Sequence, residues 1–296
     1  MQDMIIRKKT LKIQERLGMR LGIAHGTSKI PVVKTVEDAL EVLKELYRIG
    51  LKAFVLPYDL FKNVKTSTDL YKVHYGNLLK IKELANKFNI ELSIHVTKFP
   101  DNPEQLDEML KILVTITSIM DCRILILPPT FYTMMPRDQA QKLVVYKINE
   151  IITGERTTTT IGIETTGKTN EVGSLEDVID IVKRTQSTEP VINWAHVHAR
   201  GAGALRVQND FKQILNEVRA SIGQQWLNSA YFFFSGVSYG PSGMTRTIPL
   251  SKSDLNLEYL IRESMSLNTK GTLIIDDPDK DKYILGILDK LADMVR

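Results

Sequence analysis

Eight short apolar runs, each followed by a helical pattern, limit what this chain can fold into. They are LGIAHG (21–26), KAFVLPY (52–58), ELSIHV (91–96), RILILPP (123–129), TIGIETT (160–166), VINWAHVH (191–198), YFFFSG (231–236) and GTLIIDDP (271–278). Near-continuous apolar character suits parallel strands covered on both faces, because the helices of βαβ units shield a sheet from water. After the first run, Thr35 and Asp38 form a capping-box pattern. Ala39, Val42, Leu43, Leu46 and Tyr47 then share one helical face, and Gly50 ends it. After the fifth run, Ser174 and Asp177 repeat the box ahead of the stripe Leu175, Val178, Ile179 and Val182. Further helices are expected near 69–88, 103–120, 137–153, 208–222, 253–267 and 280–295. Eight strand-then-helix units predict an α/β single domain of the (β/α)8 TIM-barrel class. A doubly wound open sheet is the alternative. It calls for a Gly-x-Gly-x-x-Gly turn after an early strand, and GIAHGTSKI does not supply one.

The 296 residues, 43% of them hydrophobic, are enough for a large core. The single cysteine, Cys122, excludes an internal disulfide. It points to a reducing compartment and reads as a buried, inert thiol. No apolar run reaches the ~18 residues of a membrane span, and the first 20 residues have no secretory h-region. The expected location is the cytoplasm, with no membrane partner. The net charge of +4 is unevenly spread. Residues 1–20 carry Arg7, Lys8, Lys9, Lys12, Arg16 and Arg20 against Asp3 and Glu15. We read 1–20 as a basic, solvated leader ahead of a barrel over 21–296; such an arm attracts phosphate backbones.

A barrel places its site at the C-terminal ends of its strands. His25, His95 and Glu164 fall at the ends of the first, third and fifth strands. Asn193, His196 and His198 are read along the sixth strand, and Asp276 and Asp277 end the eighth. Imidazoles and carboxylates converging on one rim suit zinc or manganese. If the sixth strand runs on through WAHVH, His196 and His198 share a face. The aromatic run Tyr231–Phe234 reads as barrel core and not as an exposed interface, which disfavours a purely structural subunit.

These residues resemble an archaeal member of the endonuclease IV family, within the xylose isomerase-like barrels. The resemblance is carried by IGIETTGKTNEVGSLEDV (161–178), VINWAHVHARGAGAL (191–205), FSGVSYG (234–240) and TIPLSKSDL (247–255), with ELSIHV and ILPPTFY in support. It implies cleavage of DNA beside abasic sites by three zinc ions held by nine His, Asp and Glu residues. Carried over position by position, His95, Glu164 and His196 match the family's ligands. Asp276 stands where a Glu is expected and Asn193 where an Asp is expected. Pro128 and Phe233 replace histidines, and Thr245 and Thr247 fall on an Asp-x-His pair.

On that resemblance each of the three metal positions loses a strong ligand, so the expectation is no three-zinc cluster. The cofactor is then none, or one divalent zinc or manganese ion. Residual ligand candidates are His95, Glu164, His196 and Asp276, with Asn193, His198 and His25 as weaker donors; Glu164 is the candidate catalytic group. Lys168, Arg200, Gly201 and Gly203 are expected to contact phosphate, because small residues admit a backbone and cations neutralise the anion. Tyr132, Tyr239 and Tyr58 are candidates to stack on a nucleotide. Two functions follow. One is a non-catalytic barrel binding nucleic acid, DNA ahead of RNA, or another phosphate-rich partner. The other is a phosphodiesterase or sugar-phosphate enzyme working with a reduced, one-metal site.

Overall fold

The computed structural model describes residues 2–155 and 159–296, apart from the side chain of Val73. Eight parallel strands close a barrel: β1 (Met19–Ala24), β2 (Ala53–Pro57), β3 (Glu91–His95), β4 (Ile124–Leu127), β5 (Ile161–Glu164), β6 (Thr188–Asn193), β7 (Ala230–Phe234) and β10 (Gly271–Ile275). Each follows its sequence neighbour around the ring, and β1 pairs with β10 to close it. Between β7 and the last strand the chain inserts an antiparallel hairpin, β8 (Gly236–Gly240) and β9 (Gly243–Ile248). The periodicity did not announce this hairpin, because its polar, glycine-flanked strands lack an apolar face.

The alternation along β7 shows how the core divides. Tyr231 and Phe233 point into the barrel, where they join Val55, Ile124, Ile126, Val191 and Ile274. Phe232 and Phe234 point outward to the layer between sheet and helices. All four are at most 1% exposed, so the run is core, as period-two geometry requires. Gly162 makes the interior possible on β5, since a Cβ there would lie 2.5 Å from Val191 Cγ2 and 2.6 Å from Ile124 Cδ1.

Both capping boxes form. Thr35 accepts from the Asp38 amide, Ser174 accepts from the Asp177 amide, and each Asp returns the bond to its cap. Gly50 ends its helix at φ 85°, the left-handed conformation glycine adopts without penalty. Residues Gln2–Leu17 form a helix that docks at the foot of the barrel. Gln14 donates to the Gly50 carbonyl and accepts from the Leu21 amide, both at 2.8 Å. Arg7 lies over the Tyr47 ring, and Lys9 pairs with Asp289. The exposed Lys8, Lys12 and Arg16 therefore sit on a helix at the end opposite the strand C-termini.

One strand reading is corrected. β6 stops at Asn193, and Trp194–Arg200 is a helix. Asn193 has extended dihedrals and its side chain accepts from the His196 amide, which is helix N-capping chemistry. Of the β-branched residues in this run, Val191 and Ile192 lie in the strand and Val197 in the helix. His196 and His198, two apart on a helix, therefore face different ways.

Candidate functional site

Strand register brings the polar residues together. β3, β5 and β6 end in His95, Glu164 and Asn193, and the last strand leads directly into Asp276. These four side chains, with His25, His196, Lys168 and Lys280, line a pocket of about 630 Å³ at the C-terminal end of the barrel. Pro128, Thr245 and Thr247 line it too. Three positions where the resemblance expects ligands are thus pocket wall without a strong metal donor. Phe233 lies just below, its ring 5.2 Å from that of His95.

Glu164 is the hub. It is 1% exposed. His95 Nε2 donates to its Oε2 at 2.8 Å, and Asn193 Nδ2 donates to its Oε1 at 2.9 Å. Burial alone would raise the Glu164 pKa. The His95 charge and hydrogen bond, then His196 and Asn193, outweigh it and hold the carboxyl at about 2. Burial would likewise lower the His95 pKa, but Glu164 and then Asp276 shift it upward. The pair is an internal ion pair.

His196 donates from Nδ1 to the Thr165 carbonyl at 2.6 Å, which leaves Nε2 as an acceptor. Asn193 Nδ2 lies 3.4 Å from that Nε2. The Asn193 amide nitrogen therefore stands between Glu164 Oε1 and His196 Nε2, offering a proton to each. Asp276 instead faces Lys280 Nζ at 3.6 Å, and Lys280 also donates to the Ala24 carbonyl at 3.2 Å.

Beside the pocket, two buried imidazole nitrogens, His25 Nε2 and His95 Nδ1, have no hydrogen-bond partner among the described residues. The two rings lie 5.6 Å apart and nearly parallel. Burial lowers the His25 pKa to about 4; Asp276 opposes the shift, while His95 and Lys280 add to it. An unpaired buried polar atom costs about 1–3 kcal/mol. Both His25 (φ 68°) and Lys280 (φ 55°) hold left-handed backbone without being glycine, the kind of strain that concentrates at ligand sites.

The other sequence candidates lie elsewhere. His198 is fully buried, accepting from the Leu205 amide at Nδ1 (3.1 Å) and donating from Nε2 to Asp254 (3.0 Å). With both nitrogens engaged, it is a structural residue of the helix–hairpin junction. Tyr239 sits edge-on to it and donates to Asp254 at 2.7 Å, so its hydroxyl is spent. Arg200 donates to the carbonyls of Lys168 (2.6 Å), Thr169 (3.3 Å) and Glu171 (2.9 Å), and to Thr166 Oγ1 (3.1 Å). It straps the loop after β5 instead of presenting a free guanidinium. Gly203 passes beneath Tyr239, where a Cβ would fall 2.3 Å from the hydroxyl; Gly201 is exposed at a helix end. Neither glycine lines the pocket, nor does Tyr132, which packs edge-on to Phe131. Lys168 does, held 3.3 Å from Glu171.

Sequence reasoning missed Lys280 and Asp254. Lys280 stands four residues after Asp276 in DDPDK, a spacing that places both on one side of the turn. Asp254 had no local signal, since its partners are 56 and 15 residues away.

No family model matches the chain. The uncharacterized protein MJ0133 of Methanocaldococcus jannaschii is 22% identical over 263 residues, covering 86% of this chain and 92% of that one. Among solved structures, SacUVDE superposes with a TM-score of 0.67 at 13% identity, over 93% of this chain and 99% of its own. The xylose isomerase domain protein from Planctomyces limnophilus gives 0.65 at 12% identity, over 93% and 98%. These structures share the closed (β/α)8 barrel with this chain. A third such barrel, the IOLI protein with a bound zinc atom, superposes at 0.60 with 12% identity, over 94% and 95%. At these identities the likeness establishes the barrel fold alone. No helix among the described residues is long and apolar enough to cross a membrane.

Proposed function

We propose that this barrel binds a phosphate-bearing partner, nucleic acid first and DNA ahead of RNA, in its C-terminal pocket, without the three-zinc cluster of the endonuclease IV family. The observation that carries the reading is the Asn193 amide. It donates to Glu164 and lies 3.4 Å from His196 Nε2, so an uncharged amide stands where the resemblance expects a carboxylate. A cluster of dications needs surrounding anions and open lone pairs. Here both Glu164 oxygens accept internal hydrogen bonds, and Asp276 is matched to a lysine. Among the described residues, no three His, Cys, Asp or Glu side chains are grouped to hold an ion. The donor set does not fit the cluster.

Lys168 and Lys280 stand in the pocket wall and are the residues assigned to phosphate. Each is held by an acid, Glu171 or Asp276, so the lysines are positioned before a ligand arrives. The test is binding of abasic-site duplex, intact duplex and RNA across a salt series. A phosphate contact makes affinity fall with salt, and losing one lysine lowers the logarithmic slope by about 1. No affinity for any of the three nucleic acids at low salt would end this reading.

A second reading has one observation in its favour. His25 Nε2 and His95 Nδ1 are buried donors or acceptors with nothing to bond, and one zinc or manganese ion could engage such a nitrogen with Asp276 nearby. Metal analysis separates it from the first reading.

A further inference from the structure

A second cavity, of about 580 Å³, opens on the same end of the barrel, between the segments that follow β2 and β3. Its residues contribute nothing to the central pocket. The floor is apolar: Phe61, Val64, Ile112 and Leu113 are buried, and Phe99 and Met109 are half-buried against them. Around the mouth stand Lys62, Lys65 and Lys98, all exposed and none in an ion pair among the described residues. This differs from the central pocket, where Lys168 and Lys280 each have an acid within 4 Å. One wall carries Gln105 and Glu108, an amide and a carboxylate one helical turn apart.

We infer that this cavity is a nucleotide seat, for a nucleotide either free or within a single strand. Three kinds of surface meet in it. Apolar and aromatic side chains suit the face of a base. An amide beside a carboxylate can read the donors and acceptors on a base edge. Three unpaired ammonium groups suit a phosphate. A simple acyl chain would leave Gln105 and Glu108 without a role, and inorganic phosphate would leave the floor without one. The seat shares no residue with the central pocket and stands whether or not that pocket binds nucleic acid.

The test uses the full chain with labelled Met, Ile and Leu methyl groups, followed by NMR. Adenosine 5′-monophosphate, adenosine, inorganic phosphate, decanoate and a short single-stranded oligonucleotide are titrated separately. The monophosphate should shift the methyl signals of Met109, Ile112 and Leu113, with adenosine and phosphate each about tenfold weaker. A response to the oligonucleotide at the same methyls would assign the seat to strands as well as free nucleotides; silence would restrict it to free nucleotides. Replacing Lys62, Lys65 and Lys98 together by Ala, all on the surface, should weaken the monophosphate about tenfold without changing the fold. No shift at those three methyls, an unchanged affinity in the triple variant, or tighter binding of decanoate than of the monophosphate would overturn the inference. Loss of duplex binding with an intact monophosphate response would end the central-pocket reading and support this one.

Discussion

The barrel has a polar cluster at each end, and the two are finished differently. At the foot, Arg123 donates to both oxygens of Glu189 (2.7 and 2.8 Å) and to the Ser229 carbonyl. Glu91 accepts from Thr272 Oγ1 at 2.6 Å and lies 3.6 Å from Arg20. Each of these charges has a partner of opposite sign; the buried hydroxyls without one, Ser93 and Tyr231, are neutral. At the C-terminal end, Glu164 is equally well matched, yet His25 and His95 keep unpaired buried nitrogens beside an open pocket. Both ends thus keep unpaired buried polar atoms, and the pocket end differs in that its two are imidazole nitrogens beside an open cavity. A site leaves groups for a ligand to complete.

The two central carboxylates also shift in opposite directions. Burial raises the Glu189 pKa, and the Arg123 ion pair does not fully offset it. Glu164, more deeply buried, is lowered to about 2 by His95, His196 and Asn193. Arg123 reaches both Glu189 oxygens through one nitrogen, Nη2, and the Glu91 charge works against it, whereas Glu164 has a separate donor on each oxygen.

The largest way to break the comparison is to remove one partner at each end. Arg123→Ala and Glu164→Ala each strand a buried charge, and each should cost about 3–5 kcal/mol in urea unfolding. Only Glu164→Ala should also alter ligand binding. Equal effects on binding would erase the distinction between scaffold and site.

Next comes the loop strap. Arg200→Ala frees the carbonyls of Lys168, Thr169 and Glu171 and should destabilise by about 1–3 kcal/mol. It should weaken nucleic-acid binding only as far as Lys168 is displaced, with the salt slope unchanged. A slope falling by about 1 would instead show Arg200 touching phosphate directly.

Acid titration sharpens the contrast by sign. Glu164 has a depressed folded pKa, so its stabilisation is present above the unfolded value of about 4.3 and is lost as pH falls toward 2. Glu189 has a raised folded pKa, so the folded state is favoured at low pH and loses that advantage as pH rises through the folded value. Glu164→Gln should therefore reduce sensitivity to acid, and Glu189→Gln should increase it, as read from urea midpoints between about pH 3 and pH 6.

The smallest effect concerns Tyr239. Tyr239→Phe removes one hydrogen bond to the half-exposed Asp254 and should cost about 1 kcal/mol. Nucleic-acid affinity should not change, because the hydroxyl is already engaged. A clear loss of affinity would return Tyr239 to the list of ligand contacts.

The barrel was legible because burial on both faces imposes a pattern that survives in one sequence. Each of the eight apolar runs contains a barrel strand, although the sixth turns helical after Asn193, and Thr35 and Ser174 marked helix starts through chemistry confined to four residues. The boundary at Asn193 was not legible, since an N-capping Asn and a strand-ending ligand look alike until the following turn is seen. Convergence of His95, Glu164, Asn193, His196 and Asp276 on one rim followed from strand ends alone. The fates of Arg200, His198 and Tyr239 did not. Each is decided by partners far along the chain, in the Lys168–Glu171 loop or at Asp254, which no local spacing encodes. The hairpin that carries Met244 over Gly167 was hidden because its polar, partly exposed strands leave no apolar pattern.

The central claim is that the Asn193 amide, standing where the resemblance expects a carboxylate, leaves Glu164 and His196 without the charge a metal ion needs. Elemental analysis of the purified chain, before and after dialysis against zinc or manganese, tests it most directly, with Asn193→Asp alongside. The account predicts far less than one equivalent of either metal in the natural sequence, and a gain in metal only when the aspartate supplies the missing charge. One or more equivalents of tightly held zinc or manganese in the natural sequence would contradict it.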